Sequence, residues 1–226
     1  MEILNNIWTA ISTPNENLLS ILSIPLLFFI EMPLTFLLIV TVFNIDYSKK
    51  QRNIYVIITT IIAILTTRVL DWPFNTIFNY LASFMVLYFI LKLNVIKSFI
   101  SSFFPSIVFS LVGYLILNPY LTILNISYDD ANIIPIYRIP FVLIMYSLVF
   151  IIIQILKYRR VTVNLLENLN YKNKAMIMIN FLFGFFYIII QGILTVNYID
   201  VLPIQFTFFN FVCLLVYFAL SFFTLS

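Results

Sequence analysis

Glu31 is the acidic residue set deepest in apolar sequence, within Phe28-Phe29-Ile30-Glu31-Met32-Pro33. A carboxyl in such surroundings can hold a proton, pair with a cation or take part in a ligand site. Inside a membrane it is read as functional by default. Pro33 comes two residues later and has no N–H to give to the carbonyl of Phe29. A freed acceptor therefore stands one turn away, and Glu31 in its protonated form could donate to it. On that local reading Glu31 and Pro33 make a satisfied helix kink. On the other they make an intramembrane polar switch. The residues fit both equally.

Two arginines stand apart from the other cations. Arg138 lies in Ile136-Tyr137-Arg138-Ile139-Pro140, at the start of an apolar run and beside a long polar loop. A guanidinium among aromatic rings can grip a carboxylate in two-pronged fashion, so Tyr137 and Arg138 are candidate ligand contacts. An interface anchor is the equally good alternative. Arg68 closes another apolar run just before Asp71-Trp72-Pro73. It is spaced to pair with Asp71. Its expected depth is too shallow to reach Glu31, and the simplest role for Arg68 and Trp72 is to anchor a helical hairpin at the interface. Both remain candidate ligand contacts.

Several chemistries are excluded by what the chain lacks. There is no His, which removes a His base, a His metal ligand and a phospho-accepting His. Three glycines (Gly113, Gly184, Gly192) cannot build a phosphate-cradling loop. Cys213 is the single cysteine, lies in apolar sequence and has no base near it, so neither a disulfide nor a thiol nucleophile is expected. No metal, no cofactor and no catalytic constellation are expected.

The elements that must position these residues can be inferred from composition. The chain is 63% hydrophobic and 9% charged, against about a quarter charged in soluble domains. A soluble fold of this length could not hide that much apolar surface, so lipid is the expected solvent. The expected fold is all-α and polytopic, with seven transmembrane helices over 18–43, 54–70, 74–91, 98–117, 137–156, 174–195 and 204–225. A short amphipathic helix over 1–13, with Ile3, Leu4, Ile7, Trp8 and Ile11 at helical spacing, is expected to lie in the interface. Residues 14–226 form the membrane domain, and Thr13-Pro14-Asn15-Glu16 reads as its opening capping box. No signal peptide is expected, because the first sixteen residues hold Glu2 and Glu16 and no cation.

Charge then orients the spans. Ten of the twelve Lys and Arg fall in three clusters: Lys49, Lys50 and Arg52; Lys92 and Lys97; and Lys157, Arg159, Arg160, Lys172 and Lys174. The loops 44–53, 92–97 and 157–173 are therefore expected inside, and 1–17, 71–73, 118–136 and 196–203 outside. The N-terminus is out and the C-terminus in. The small net charge of +3 sits in the inner loops and gives no reason to expect nucleic acid. The stretch 157–174 is expected to lie on anionic lipid, with contact to a cytoplasmic partner as the alternative. Asn79, Gln154, Asn180, Gln191, Gln205 and Asn210 are expected to act as polar glue between helices.

The chain also resembles a known group. Met1-Glu2-Ile3-Leu4-Asn5-Asn6-Ile7-Trp8, Ser12-Thr13-Pro14-Asn15-Glu16, Ile134-Pro135-Ile136-Tyr137-Arg138 and Asn170-Tyr171-Lys172-Asn173-Lys174 look like segments of clostridial sensor histidine kinases. These are accessory-gene-regulator-type (Agr-type) receptors with a GHKL ATPase domain. The resemblance covers essentially the whole chain, and its motifs are moderately specific. It implies the membrane sensor of a two-component quorum-sensing receptor in the bacterial cytoplasmic membrane. A secreted, often cyclic, peptide would be the ligand. A homodimeric parent, a cytoplasmic kinase domain and a response regulator would be the partners. The departure is large: the chain lacks the phospho-accepting His and the kinase domain, so kinase activity is expected only of a longer parent. The alternative, from another class, is a substrate-binding membrane subunit of a small-molecule uptake transporter. Three glycines are few for the close helix packing and broken helices of transporters. A stand-alone membrane interaction protein is the third reading.

Overall fold

The computed structural model describes residues 18–70 and 74–160. Among these residues the chain is all-helical, with α1 (Leu18–Val42), α2 (Lys49–Val69), α3 (Phe74–Phe89), α4 (Val95–Leu124), α5 (Tyr128–Ile133) and α6 (Pro135–Arg159). Four of these, α1, α2, α4 and α6, are long and apolar enough to cross a membrane, and α3 is a shorter apolar helix. At 1.5 Å per residue the 30 residues of α4 span about 45 Å and the 16 of α3 about 24 Å. The former exceeds the ~30 Å hydrocarbon layer and the latter falls short of it. The expected interfacial helix at 1–13, the turn at 71–73 and the last two expected spans lie outside the described residues.

The helices alternate in direction. α1 and α4 are packed together centrally, the α2–α3 pair closes one side, and α6 lies against both α1 and α4 on the other. The surface pattern is that of a protein bathed in lipid. On α2, Ile57, Ile61 and Leu65 point outward, each more than half exposed, while Thr59, Thr60 and Ala63 are buried. That is the reverse of a soluble amphipathic helix. Hydrophobicity does not drive helices together in lipid, so close packing must do it. Phe36, Leu38, Ile39, Val149 and Ile153 belong to that packed interior. Phe36 meets Tyr47 edge-on at 5.0 Å and Tyr55 at 5.1 Å, and Phe43 meets Phe104 edge-on at 5.5 Å.

Polar residues decide where α2, α4 and α5 start. Ser48 caps α2, and its partner Gln51 completes a capping box. Gln51 Nε2 also donates to the carbonyl of Ile90 at 2.9 Å, tying the α3–α4 turn to α2. Asn94 caps α4 by accepting from the Lys97 N–H at 2.7 Å. The left-handed turn positions are held by Asn44, Lys92, Asn125 and Arg160. Asn tolerates that conformation better than most residues.

Two sequence expectations on boundaries are corrected. The outer loop 118–136 is not a loop for most of its length: α4 runs on to Leu124 and α5 occupies Tyr128–Ile133. Pro119 does not end α4. A proline costs one hydrogen bond inside a helix, and here the helix beyond it is held by Tyr120, whose hydroxyl donates to the carbonyl of Tyr137 at 2.5 Å. Spans two and five also begin earlier than expected: a capping box starts α2 at Lys49, and Pro135 in the first helical position starts α6 without a side-chain cap. Pro25, Pro33, Pro105 and Pro140 lie inside helices.

The described members of the three cation clusters meet at one end. Lys49, Lys50, Arg52, Lys92, Lys97, Lys157, Arg159 and Arg160 all fall in the first or last turns or the connections there. The opposite end carries Arg68 and Arg138.

Candidate functional site

A cavity of about 340 Å³ lies between α1, α2, α3 and α4. Polar groups reach its otherwise apolar wall because α2, α3 and α4 turn hydroxyl and amide residues toward it. On α4, Ser102, Ser106 and Ser110 recur every four residues, which keeps them on one side. On α3, Thr76, Asn79, Tyr80 and Ser83 keep the same helical spacing, as do Tyr55 and Thr59 on α2. α1 contributes Phe28, Glu31, Met32 and Thr35. The lining thus runs from the level of Tyr55 and Ser83 to Thr67, Asn75 and Thr76 beside the α2–α3 turn. A cavity in the bundle that brings polar groups and one carboxyl together is the arrangement expected of a ligand site or pathway in a membrane protein.

Four of the lining hydroxyls spend their proton on the backbone of their own helix. Thr59 donates to the carbonyl of Tyr55 at 2.7 Å, Thr67 to that of Ala63 at 2.7 Å, Ser102 to that of Phe99 at 2.7 Å and Ser106 to that of Phe103 at 2.5 Å. A hydroxyl so engaged keeps lone pairs but has no further proton to give. Two pairs cross between helices. The hydroxyls of Tyr55 and Ser83 share a hydrogen bond of 2.7 Å, and Thr66 Oγ1 meets Asn79 Oδ1 at 2.9 Å. Both hold α2 to α3. Asn79 therefore joins helices as expected from sequence, and it also borders the cavity.

Glu31 sits on the cavity wall near the midpoint of α1. Its expected local partner, the carbonyl of Phe29, is not the bond found. Tyr146, near the midpoint of α6, donates its hydroxyl to Glu31 Oε2 at 2.6 Å. The two residues are 115 apart in sequence, so the bond ties α1 to α6 in the middle of the bundle. Tyr146 is 4% exposed and its ring stands edge-on to Phe109 at 5.9 Å. The local-kink reading is thereby replaced by an interhelical one. Pro33 is half-buried, α1 continues through it, and it does not border the cavity.

Arg138 is half-buried in the first turn of α6 and interacts electrostatically with both Tyr146 and Glu31. Its field thus reaches inward to the carboxyl. Neighbouring Tyr137 is held through its carbonyl by Tyr120, whose ring packs 5.4 Å from Phe141. Arg68 is exposed in the last turn of α2 and does not border the cavity. Trp72 lies outside the described residues. Of the residues singled out from sequence, the structure draws Glu31 and Arg138 into one electrostatic group and leaves Arg68 apart. Tyr146 and the serine face of α4 were missed. The serines carried a readable signal, their four-residue spacing. Tyr146 carried none, being one of 14 tyrosines.

A second groove, of about 440 Å³, runs between α1 and α6 at the basic end. Gln154 borders it with Asn44, Tyr47, Lys157 and Arg160. Gln154 is exposed, so its expected role as glue between helices is not the one found.

No protein-family model, no curated protein and no solved structure matches this chain.

Proposed function

We propose that the chain is the ligand-sensing membrane domain of a peptide-pheromone receptor kinase. The observation that carries this reading is the cavity in the bundle, with Glu31 on its wall bonded to Tyr146 of α6. A ligand entering the cavity meets a residue that also holds a helix outside it. Binding that favours one α1–α6 arrangement over another shifts the population between them. A volume of about 340 Å³ is at the small end of ligand pockets, which run from roughly 300 to 1,000 Å³. It suits one side chain or one terminus of a peptide, with the remainder lying on the end that bears Tyr137, Arg138 and Arg68.

In this reading seven spans cross a bacterial cytoplasmic membrane, and the basic end faces the cytoplasm. The N-terminus is outside and the C-terminus leads inward to a cytoplasmic kinase of a homodimeric parent, which signals to a response regulator. Arg138 then stands at the outer end, and the cavity extends from near that end past the middle of the bundle.

The test uses the purified chain in detergent. Peptides from the spent medium of the source bacterium are passed over it, and retained species are identified by mass spectrometry. A peptide held by wild type and released by Arg138→Ala supports the reading. Retention of no peptide by wild type sinks it. A second reading, a substrate-binding subunit of an uptake transporter, is favoured by the mid-bundle depth of the cavity, where transporter sites lie. Substrate accumulation in proteoliposomes bearing only this chain would favour that reading over the first.

A further inference from the structure

We propose that the cavity between α1, α2, α3 and α4 recognises a small organic ammonium group, with the Glu31 carboxylate as counter-charge and the rings of Phe28, Tyr55, Tyr80 and Phe109 as its walls. This rests on the reading of the cavity as the ligand site. Three features of the lining lead to it.

The first is charge. Among the described residues, Glu31 is the one ionisable acid or base of the lining apart from the two tyrosine hydroxyls, and no Lys or Arg of these residues borders the space. An anionic guest would face a carboxylate whose cationic neighbour, Arg138, stands outside the lining, at a depth where charges are weakly screened. A cationic guest finds its partner there. The second is hydrogen-bond polarity. Thr59, Thr67, Ser102 and Ser106 donate to their own backbone, so their oxygens offer lone pairs and no proton to a guest. Glu31 already receives the Tyr146 proton on Oε2 and can still accept on its other oxygen. At these five positions the wall offers acceptors, which match a donor such as an ammonium group; the amides of Asn75 and Asn79, whose oxygens accept from Thr76 and Thr66, lie toward the α2–α3 end of the lining. The third is the aromatic content. Four rings border one small cavity, and ring faces attract cations by their quadrupoles, most strongly where water is excluded. Quaternary ammonium groups are commonly held in this way.

The guest is an amine-bearing small molecule or the amine of a larger one, such as a lysine side chain or a peptide N-terminus. A neutral guest of the same shape would gain the packing and lose the charge terms. That difference is the measurement.

The probes are choline and dimethylbutanol, its uncharged carbon isostere, titrated calorimetrically into the full chain in an uncharged maltoside detergent. Choline is expected to bind about tenfold more tightly than dimethylbutanol. Glu31→Gln keeps an acceptor for Tyr146 and is expected to remove most of that preference. Phe28→Leu keeps the charge and removes one ring. It should weaken choline about threefold and leave dimethylbutanol unchanged. If Glu31→Gln does not fold, the Phe28→Leu comparison decides. Equal affinity for the two probes, or no binding of choline by wild type, overturns the proposal. A chain that retains a secreted peptide but ignores choline loses this inference alone. One that binds choline but retains no peptide loses the receptor reading.

Discussion

Tyr146→Phe deletes one hydroxyl and keeps the ring that packs edge-on against Phe109. The hydroxyl donates at 2.6 Å to Glu31, and the tyrosine is 4% exposed. Removing one partner of a buried hydrogen bond leaves the other short of its bond, at about 1–3 kcal/mol in soluble proteins. Hydrogen bonds between membrane helices average nearer 0.6 kcal/mol and reach about 1.7, because the unfolded chain in a micelle finds other partners. A short bond to a carboxyl far from water belongs at the upper end of that range. The expected loss is therefore about 1–1.5 kcal/mol. Reversible unfolding in mixed micelles measures it. Glu31→Gln should cost less, since an amide oxygen still accepts from Tyr146. Glu31→Leu should remove the bond from the other side. The cycle Tyr146→Phe, Glu31→Leu and the double variant should then show about 1 kcal/mol of coupling. Tyr146→Phe as stable as wild type, with additive singles, would refute the tie between α1 and α6.

Other expectations rest on the same geometry. Tyr55→Phe and Ser83→Ala each break the 2.7 Å bond between α2 and α3. Each should cost about 0.6–1.5 kcal/mol, and the double variant should cost clearly less than their sum in the same unfolding assay. Gly113→Ala adds a Cβ that would stand 3.6 Å from Met145 Sδ, an ordinary contact. It should raise stability by about 0.5–1 kcal/mol through helix propensity, and a fall in the melting temperature would contradict the packing of α4 on α6. Ser48→Ala removes the capping box of α2 and should cost about 1 kcal/mol in the unfolding assay. For orientation, Lys50→Cys and Ile123→Cys are made in a Cys213→Ala background. An impermeant thiol reagent added to intact cells should label position 123, which is 80% exposed, and not position 50. The opposite pattern would invert the topology.

The helical class, the four long apolar helices and the shorter apolar α3 are legible in the sequence, because in lipid each span must satisfy its own backbone and so must be apolar for its whole length. The ends of the helices are less legible. α2 begins at Lys49 inside a basic, polar stretch, since a capping box fixes the first turn however polar the residues of that turn are. α4 continues through Pro119, since the cost of one proline is small beside the contacts that a longer helix makes with α6. At the site, Glu31 stands out by its type alone, yet its partner does not. Sequence logic looks for an acid's partner among cations or nearby carbonyls. The partner is a tyrosine 115 residues away, identifiable only once α1 and α6 are laid side by side.

The cavity itself could have been read from spacing. In a soluble helix the apolar residues mark the buried face, and the polar ones are background. In lipid the roles exchange: the apolar residues are background and the polar ones mark the interior. Ser98, Ser102, Ser106 and Ser110 then form a stripe along α4, and Tyr55, Thr59 and Thr66 a matching one along α2. Ser98 and Ser102 are buried, and Ser102, Ser106 and Ser110 border the cavity. Such a stripe does not by itself distinguish glue from a binding wall, since a hydroxyl bonded to its own helix satisfies both. The space beside the stripe decides. Where hydroxyl faces of neighbouring helices close on one another, as at Tyr55 and Ser83, they hold the bundle. Where they stand apart around an acid and several rings, as they do along the wall past Glu31, they leave room for a guest.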